Sequence, residues 1–277
     1  MKKISRYFAS LLVFTFLLSV AAVAQEEAEP QGPVYITVTT AHWDMEAEQG
    51  AFKDWLETEK EYFDKVVSNN ELIISSNVLT HYYTADNSEV KFIYVYASWE
   101  DIEKGGDRNF ELAKEAWPEL EDRRAFFKKQ SSYYSNMHSD ELYISTPGAK
   151  FHENTPGREP YIYYARVSHI ADNPDGSNKE IQELRAEYID AVINKNPLVK
   201  GYYPHRHLWG SDSRDFVEVF VVESLGDIEK AQDENWNLVK AHWPDEAKRK
   251  EFFSKVNSYF TGWHADYIYT DVPELSK

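Results

Sequence analysis

One stretch of this chain recurs 126 positions later, and this repeat constrains the fold more than any other sequence feature. Asp101-Ile102-Glu103-Lys104 returns as Asp227-Ile228-Glu229-Lys230. The same offset matches further identical pairs: His81/His207, Asp86/Asp212, Asn109/Asn235, Leu112/Leu238, Trp117-Pro118/Trp243-Pro244, Arg123/Arg249, Phe126-Phe127/Phe252-Phe253, Ser132-Tyr133/Ser258-Tyr259, His138/His264, Asp140/Asp266 and Tyr143/Tyr269. Because these matches keep one register without a gap, the sequence indicates an internal duplication.

Each copy contains the same order of predicted elements. A β-rich segment (residues 34–40 and 161–167) precedes a helix with apolar residues at three- and four-residue spacing. A hairpin with a polar turn follows, and then a second helix that we expect to begin at Asp101 and Asp227. We expect Pro118 and Pro244 to break this helix and to take the first position of another, before a last strand. The order β-α-β-β-α-β is that of the ferredoxin-like unit.

A ferredoxin-like unit leaves one face of its antiparallel sheet uncovered, and a second identical unit is the simplest cover. We therefore predict an α+β fold of two tandem ferredoxin-like repeats, residues 34–146 and 160–272. The two sheets are expected to pack face to face about a pseudo-twofold axis, as an intramolecular dimeric α+β barrel. Residues 147–159 form the predicted linker, with Pro-Gly at both ends of it, and residues 273–277 form a tail.

The element order, the duplication and two strand-to-helix phrases resemble a known group of proteins. The phrases are Tyr96-Ala97-Ser98-Trp99-Glu100-Asp101-Ile102 and Val222-Glu223-Ser224-Leu225-Gly226-Asp227-Ile228. They resemble the dimeric α+β barrel superfamily, which includes antibiotic-biosynthesis-monooxygenase-like, EthD-like and NIPSNAP-like proteins, without matching any single family. This resemblance implies a small ligand held between sheet and helices or inside the barrel. The activities it implies range from cofactor-free oxygenation through haem enzymes to none, so fold alone does not assign a function.

The first residues have the pattern of a bacterial secretory signal peptide. Lys2, Lys3 and Arg6 precede a short apolar run, and Ala22-Val23-Ala24 forms an A-x-A cleavage site. We therefore expect a signal peptide at residues 1–24, an N-terminal extension at residues 25–33, and a periplasmic or secreted mature protein. The apolar run is shorter than the roughly 20 residues that a membrane-spanning helix needs, so no membrane anchor is expected.

Composition excludes several classes of function. The chain has no cysteine, which rules out disulfides, thiol catalysis and cysteine-ligated metals. Its net charge is −17, and removal of the three positive residues of the signal peptide makes the mature chain −20. Because such a polyanion is repelled by nucleic acids, we expect no nucleic-acid partner. Aromatic residues make up 15% of the chain and supply material for large cores.

Histidines on the second strand of each repeat are the first candidate site residues. Strand alternation places His81 and Tyr83 on one face of the first copy, and His205, His207 and Trp209 on one face of the second. Histidine can act as a general base or ligate haem or a metal. It can equally be a hydrogen-bonded histidine packed between two sheets. Because an i,i+2 histidine pair without a carboxylate pattern is a weak metal signal, we predict no metal site.

On the third strand, the two copies differ at one informative position. Tyr94 lies in an aromatic row of the first copy, whereas the corresponding row of the second copy contains Glu218. If Glu218 is buried beside His207, it could orient the imidazole or act as a base with a raised pKa. If it is exposed, it is an ordinary surface charge. This difference predicts at most one functional pocket of this type.

Other recurring histidines carry less information. His138 and His264 each precede an aspartate by two residues, which favours a structural role in the helix-to-strand turn. His42 and His169 close the first strand of each copy but are one position out of register, which argues against a shared site. No phosphate loop, G-x-S-x-G, HExxH or EF-hand motif occurs, so hydrolase and nucleotide-binding functions lack support.

Three functions remain open from sequence alone. The leading hypothesis is the binding of a small apolar or aromatic ligand in a barrel pocket, oriented by His81 or His207 and a tyrosine. The second is a cofactor-free monooxygenase-like or haem-dependent oxidoreductase that uses the same histidines. No cofactor is predicted from the residues, and haem enters only through the resemblance. The third is a structural or partner-binding envelope protein without a pocket.

Overall fold

The computed structural model describes residues 32–45, 52–155 and 157–277. The predicted signal peptide lies outside the described residues, as does most of the predicted extension. The first repeat consists of β1 (Tyr35–Trp43), α1 (Phe52–Tyr62), β2 (Ser75–Tyr83), β3 (Glu89–Tyr96), α2 (Trp99–Ala116), α3 (Leu120–Ser131) and β4 (Tyr134–Ser145). The second repeat consists of β5 (Ile162–Ile170), α4 (Asn178–Tyr188), β6 (Gly201–Trp209), β7 (Asp215–Val222), α5 (Gly226–His242), α6 (Glu246–Asn257) and β8 (Phe260–Asp271).

The eight strands form one closed antiparallel barrel in the order β1-β3-β2-β8-β5-β7-β6-β4. Each repeat contributes four consecutive strands of this order, in the arrangement of a ferredoxin-like sheet. The two sheets join through β2–β8 and β4–β6. The prediction of two ferredoxin-like units closed into an intramolecular dimeric α+β barrel is therefore confirmed.

Both faces of each sheet are covered, one by helices and the other by the opposite sheet. Tyr96 packs on the helix side, in a cluster with Val67 and Ile73. Leu79 and Val221 pack inside the barrel, in a cluster that draws residues from both repeats. Because side chains alternate along a strand, these clusters fix which residues face the barrel interior and which face the helices.

Two details of the helices differ from the expectations. The second helix of the first repeat begins at Trp99, because the Ser98 hydroxyl caps it by accepting a hydrogen bond from the Asp101 amide at 3.2 Å. Its counterpart in the second repeat begins at Gly226. Pro118 and Pro244 do not occupy the first helical position, since the following helices begin two residues later, after the N-cap residues Glu119 and Asp245.

The linker packs onto one end of the barrel. His152 Nδ1 lies 2.6 Å from the hydroxyl of Tyr203, and Arg158 forms a bidentate ion pair with Asp271 at the end of β8. Among the described residues, no helix has the length and apolar character required to cross a bilayer.

Candidate functional site

A cavity of about 620 Å³ lies between the sheet and the helices of the second repeat. Its volume falls in the range of about 300–1,000 Å³ that is typical of small-molecule sites. The sheet forms one wall, α4, α5 and α6 form the other, and the first residues of β8 form the rim. Its apolar lining is mainly aromatic, with Tyr164, Tyr188, Tyr202, Phe220, Trp236, Phe252, Phe253, Phe260 and Trp263.

A hydrogen-bonded cluster occupies the floor of this cavity. The guanidinium of Arg185, on α4, donates to the Tyr202 hydroxyl at 2.9 Å and lies 3.5 Å from Glu218 Oε1. The Tyr202 hydroxyl in turn donates to the same carboxylate oxygen at 2.5 Å. Burial, together with the negative charge of Glu218, raises the pKa of Tyr202 well above its usual value, so this phenol stays protonated. The cluster is a fixed polar anchor within aromatic walls.

Arg166 is the cavity-lining cation without a fixed partner. It is half-buried on the helix face of β5, between Glu218 on β7 and Asp266 on β8 in the strand register. Glu218 is bound by Arg185 and Tyr202, and Asp266 accepts from the Tyr164 hydroxyl at 2.6 Å. Within the described part of the chain, the side chain of Arg166 makes no hydrogen bond or ion pair. A guanidinium in this position can bind a planar acidic group through two parallel hydrogen bonds.

The equivalent space in the first repeat is filled by side chains. Trp55 packs edge-on against Trp43 at 4.9 Å between ring centroids, and its indole N–H donates to the Tyr134 hydroxyl at 2.6 Å. At an offset of 126, Trp55 corresponds to Ile181 and Phe92 corresponds to Glu218. Both replacements remove aromatic volume from the helix–sheet layer. The second repeat therefore has a cavity where the first has a packed core.

The residue that corresponds to Arg185 in the first repeat is Glu59, a buried carboxylate of opposite charge. Its two oxygens accept hydrogen bonds from the Tyr134 hydroxyl at 2.7 Å and the Gln130 amide at 2.9 Å. Burial raises the pKa of Glu59, and these two hydrogen bonds oppose the shift only in part. Each repeat thus contains one ionisable residue at this helix position, Glu59 buried and Arg185 half-buried, and different partners satisfy the two.

The predicted histidines lie on the other face of the sheet and do not line the cavity. His81, His205 and His207 all point into the barrel interior, because they share the strand face of Leu79 and Tyr203. His81 Nδ1 lies 2.8 Å from the Thr84 hydroxyl. Burial lowers the pKa of His205 to about 4, so its imidazole is neutral, and Nδ1 donates to the Tyr203 carbonyl at 3.1 Å. His207 Nε2 is buried without a hydrogen-bond partner among the described residues.

The other sequence candidates are spread over three locations. Tyr83 and Trp209 are exposed near the ends of their strands, beyond a bulge in the case of Tyr83. Tyr94 packs beneath the helices of the first repeat. Of the seven candidates, only Glu218 lines the cavity. It does not lie beside His207, because the two side chains leave the sheet on opposite faces.

Sequence reasoning missed the two arginines of the cavity. Arg185 and Arg166 lie at positions that are not identical between the repeats, so the identical pairs of the duplication do not point to them. The usable signal was the exchange of Glu59 for Arg185 on the first helix of each repeat. When equivalent helix positions carry opposite charges, the two repeats have different polar groups between the helix and the sheet.

Comparisons with known proteins bear on the fold only. No family model matches the chain, and no curated protein matches it in sequence. Among solved structures, it is similar to a candidate monooxygenase from Fusobacterium nucleatum subsp. nucleatum ATCC 25586, with 7% identity, a TM-score of 0.55, and coverage of 87% of this chain and 93% of that one. It is also similar to a mutant chlorite dismutase from Candidatus Nitrospira defluvii, with 13% identity, a TM-score of 0.51, and coverage of 87% and 92%. The chain therefore has the dimeric α+β barrel fold that its sequence resembles.

The resemblance to the dimeric α+β barrel superfamily raised haem as a possible cofactor, but the residues that line the cavity do not fit it. Haem iron in proteins is held by His, Cys, Met or Tyr. The only imidazole that lines the cavity is His264, at its rim, where 43% of the side chain is exposed and Nδ1 lies 2.8 Å from Asp266. The hydroxyls of Tyr164 and Tyr202 donate to carboxylates, and burial raises the pKa of Tyr188 to about 12. The described lining therefore offers no buried axial ligand.

Proposed function

We propose that the second repeat binds a small, largely apolar or aromatic molecule that carries an acidic group. The observation that carries this proposal is the 620 Å³ cavity with aromatic walls and a guanidinium, Arg166, that has no fixed partner among the described residues. The aromatic walls bury the body of the ligand, which supplies most of the binding free energy. The acidic group pairs with Arg166 and sets the orientation.

Charge balance supports an acidic rather than a basic ligand. Glu218 and Asp266 each already accept a hydrogen bond from a tyrosine hydroxyl, and Arg185 lies against Glu218. A cationic ligand would have to displace these donors and would also meet Arg166. An anionic group would instead complete the hydrogen bonds of a guanidinium that is already partly desolvated, which favours binding.

A pair of dyes with the same aromatic frame tests both parts of the proposal. 1-Anilinonaphthalene-8-sulfonate carries an acidic group, and N-phenyl-1-naphthylamine lacks it. Each dye is titrated into the mature protein, residues 25–277, and its fluorescence is followed. We expect both dyes to bind, and the anionic dye to bind more tightly.

Arg166→Gln is the diagnostic variant. A hydrogen bond to a charged group contributes about 1.5–3 kcal/mol, which corresponds to about a 10- to 100-fold loss of affinity for the anionic dye. The affinity for the neutral dye should not change. Arg206→Gln is the matched control, because Arg206 is exposed on β6, two strands away from Arg166, and does not line the cavity.

The outcomes separate the two parts of the proposal. If neither dye binds saturably, small-molecule binding in this cavity is wrong. If both dyes bind but Arg166→Gln has no more effect than Arg206→Gln, the acidic group is wrong and the apolar site stands. An absorption spectrum of the same sample, expressed with haem supply, checks the haem alternative, because a Soret band would contradict the absence of a buried axial ligand.

A further inference from the structure

A second group of convergent side chains lies on the opposite face of the same sheet, inside the barrel. His169, at the end of β5, is largely buried, and its Nε2 lies 3.4 Å from Asp212 Oδ2 and 3.4 Å from Asp215 Oδ1. One donor atom from each of these three residues lies within 4.8 Å of the other two. The indole of Trp263 stacks on the His169 ring at 3.7 Å between centroids and fixes its plane.

The two histidine–carboxylate distances are informative. At 3.4 Å they exceed the 2.7–3.2 Å of ordinary N–H···O hydrogen bonds. Two ligands at about 2.1 Å from a tetrahedral metal ion are separated by about 3.4 Å. The His169 imidazole therefore lies at the spacing of metal ligands from both carboxylates, and not at the spacing of a direct hydrogen bond.

His207 lies on the same interior face and is a second side chain there with an unsatisfied atom. In the β6–β7 ladder Arg206 is opposite Phe216, so one step further along this register His207 comes opposite Asp215. Asp215 is also opposite His169 in the β5–β7 ladder. The three side chains share the interior face of neighbouring strands, and His207 Nε2 is buried with no hydrogen-bond partner in the described part of the chain. A buried imidazole nitrogen without a partner is costly unless something binds it.

The first repeat contains equivalent residues, but its own hydrogen bonds satisfy them. The strand registers place His42 opposite Glu89 just as they place His169 opposite Asp215, so the one-residue shift in the sequence does not separate the two histidines in the structure. His42 Nδ1 lies 3.0 Å from the Ser88 hydroxyl and 3.1 Å from Asp86. Position 88 corresponds to Arg214 in the second repeat. Only in the second repeat, among the described residues, do three such donors converge.

We propose that His169, Asp212 and Asp215 bind a divalent transition-metal ion, with His207 on the same interior face as the candidate fourth ligand. Imidazole and carboxylate donors suit Zn²⁺ and its neighbours in the first transition row. Both oxygens of Asp212 accept from the exposed Arg214, Oδ1 at 2.9 Å and Oδ2 at 2.6 Å, so a bound ion would share this carboxylate with the guanidinium. This site revises the sequence-based expectation of no metal, which was drawn from the His205/His207 spacing without the carboxylates of the neighbouring strand. It does not depend on the ligand proposed for the cavity.

Calorimetric titration of Zn²⁺ into tag-free, chelator-stripped protein tests the proposal. We expect one saturable site, and a loss of affinity of about tenfold or more in His169→Gln and in His207→Gln. His138→Gln is the matched control, since His138 is an exposed histidine 3.5 Å from Asp140, away from the site. Its affinity should equal that of the parent protein.

A second measurement guards against a variant that fails to fold. Far-ultraviolet circular dichroism and thermal unfolding without metal establish whether each variant is folded. If one of the two histidine variants does not fold, Asp215→Asn is used in its place. Co²⁺ then provides a spectroscopic readout, because its visible absorption depends on the ligands that surround it. Absence of saturable binding overturns the proposal, and so does Zn²⁺ binding that survives unchanged in His169→Gln, His207→Gln and Asp215→Asn.

Discussion

Replacing Asp271 by Asn tests whether the linker seals the end of the barrel with a buried ion pair. Asp271 has 0% and Arg158 has 7% of the side chain exposed. Arg158 Nη1 donates to Asp271 Oδ1 at 3.2 Å, Nη2 donates to Oδ2, and the Tyr161 amide donates to Oδ1 at 2.7 Å. The pair joins the linker to the last strand at the β2–β8 seam between the repeats, because Asp271 is opposite Leu79.

The expected cost of this replacement follows from burial. The neutral amide of Asn can still accept from the Tyr161 amide, but it leaves the Arg158 guanidinium charged and buried without a counter-charge. Removing one partner of a buried ion pair costs about 3–5 kcal/mol of the free energy of unfolding. Each kcal/mol lowers the midpoint of thermal unfolding by about 2–4 °C in a domain of this size, so we expect a fall of about 6–20 °C.

Urea unfolding at neutral pH, followed by tryptophan fluorescence, measures the free energy of unfolding. The variants are compared with one shared value of the slope of this free energy against urea concentration. Asp64→Asn is the matched control, because the Lys60–Asp64 pair has a contact of 2.6 Å but lies on an exposed helix face. Its loss should cost less than about 1 kcal/mol. If Asp271→Asn costs no more than Asp64→Asn, the pair is not desolvated and the linker does not seal the barrel.

Two further predictions concern the first repeat and the N-terminus. The pKa of Glu59 is raised in the folded state, so its protonated form is favoured by the fold, and the stability that this contributes is lost as pH rises through the folded pKa. The unfolding free energy of Glu59→Gln minus that of the parent should therefore increase between pH 4 and pH 7.5, and a difference that is constant over this range would contradict a raised pKa. For the N-terminus, we expect the protein exported by a bacterial host to begin at Gln25, and mass spectrometry of the intact chain would refute cleavage there if it shows residues 1–24 still attached.

The fold could be predicted because the duplication carries most of the information. Identical residues in a single register showed that the chain contains two equivalent units. The element order β-α-β-β-α-β then allowed only a few ways of covering the open face of each sheet. Element limits were less accurate. Ser98 caps its helix three residues before the expected Asp101, and Pro118 lies outside the helix it was expected to start. In both cases local hydrogen bonds of the backbone, which spacing does not reveal, decide where the helix begins.

The face of the sheet that carries a site could not be predicted from alternation. In a closed barrel with helices outside, a strand can be apolar on both faces. In β3, Phe92 packs in a cluster on the helix side and Ile93 packs in the cluster inside the barrel. The usual contrast between an apolar and a polar face is missing. The repeat correctly marked Glu218 as unusual, but the sequence could not decide whether it lies beside His207, and the structure places the two side chains on opposite faces.

The difference between the two repeats accounts for both proposed sites. In the first repeat Trp55 and Phe92 fill the helix–sheet layer, and Ser88 satisfies His42. In the second, Glu218 replaces Phe92 in the wall of the cavity, and Arg214 in place of Ser88 leaves His169 facing two carboxylates. Both changes replace a packed or hydrogen-bonded arrangement by one with groups that a ligand can bind, and both fall in the same repeat. The first repeat supplies half of the closed barrel, so it can support the fold while the Arg166 side chain and His207 Nε2, which lack hydrogen-bond partners among the described residues, are left for ligands to bind.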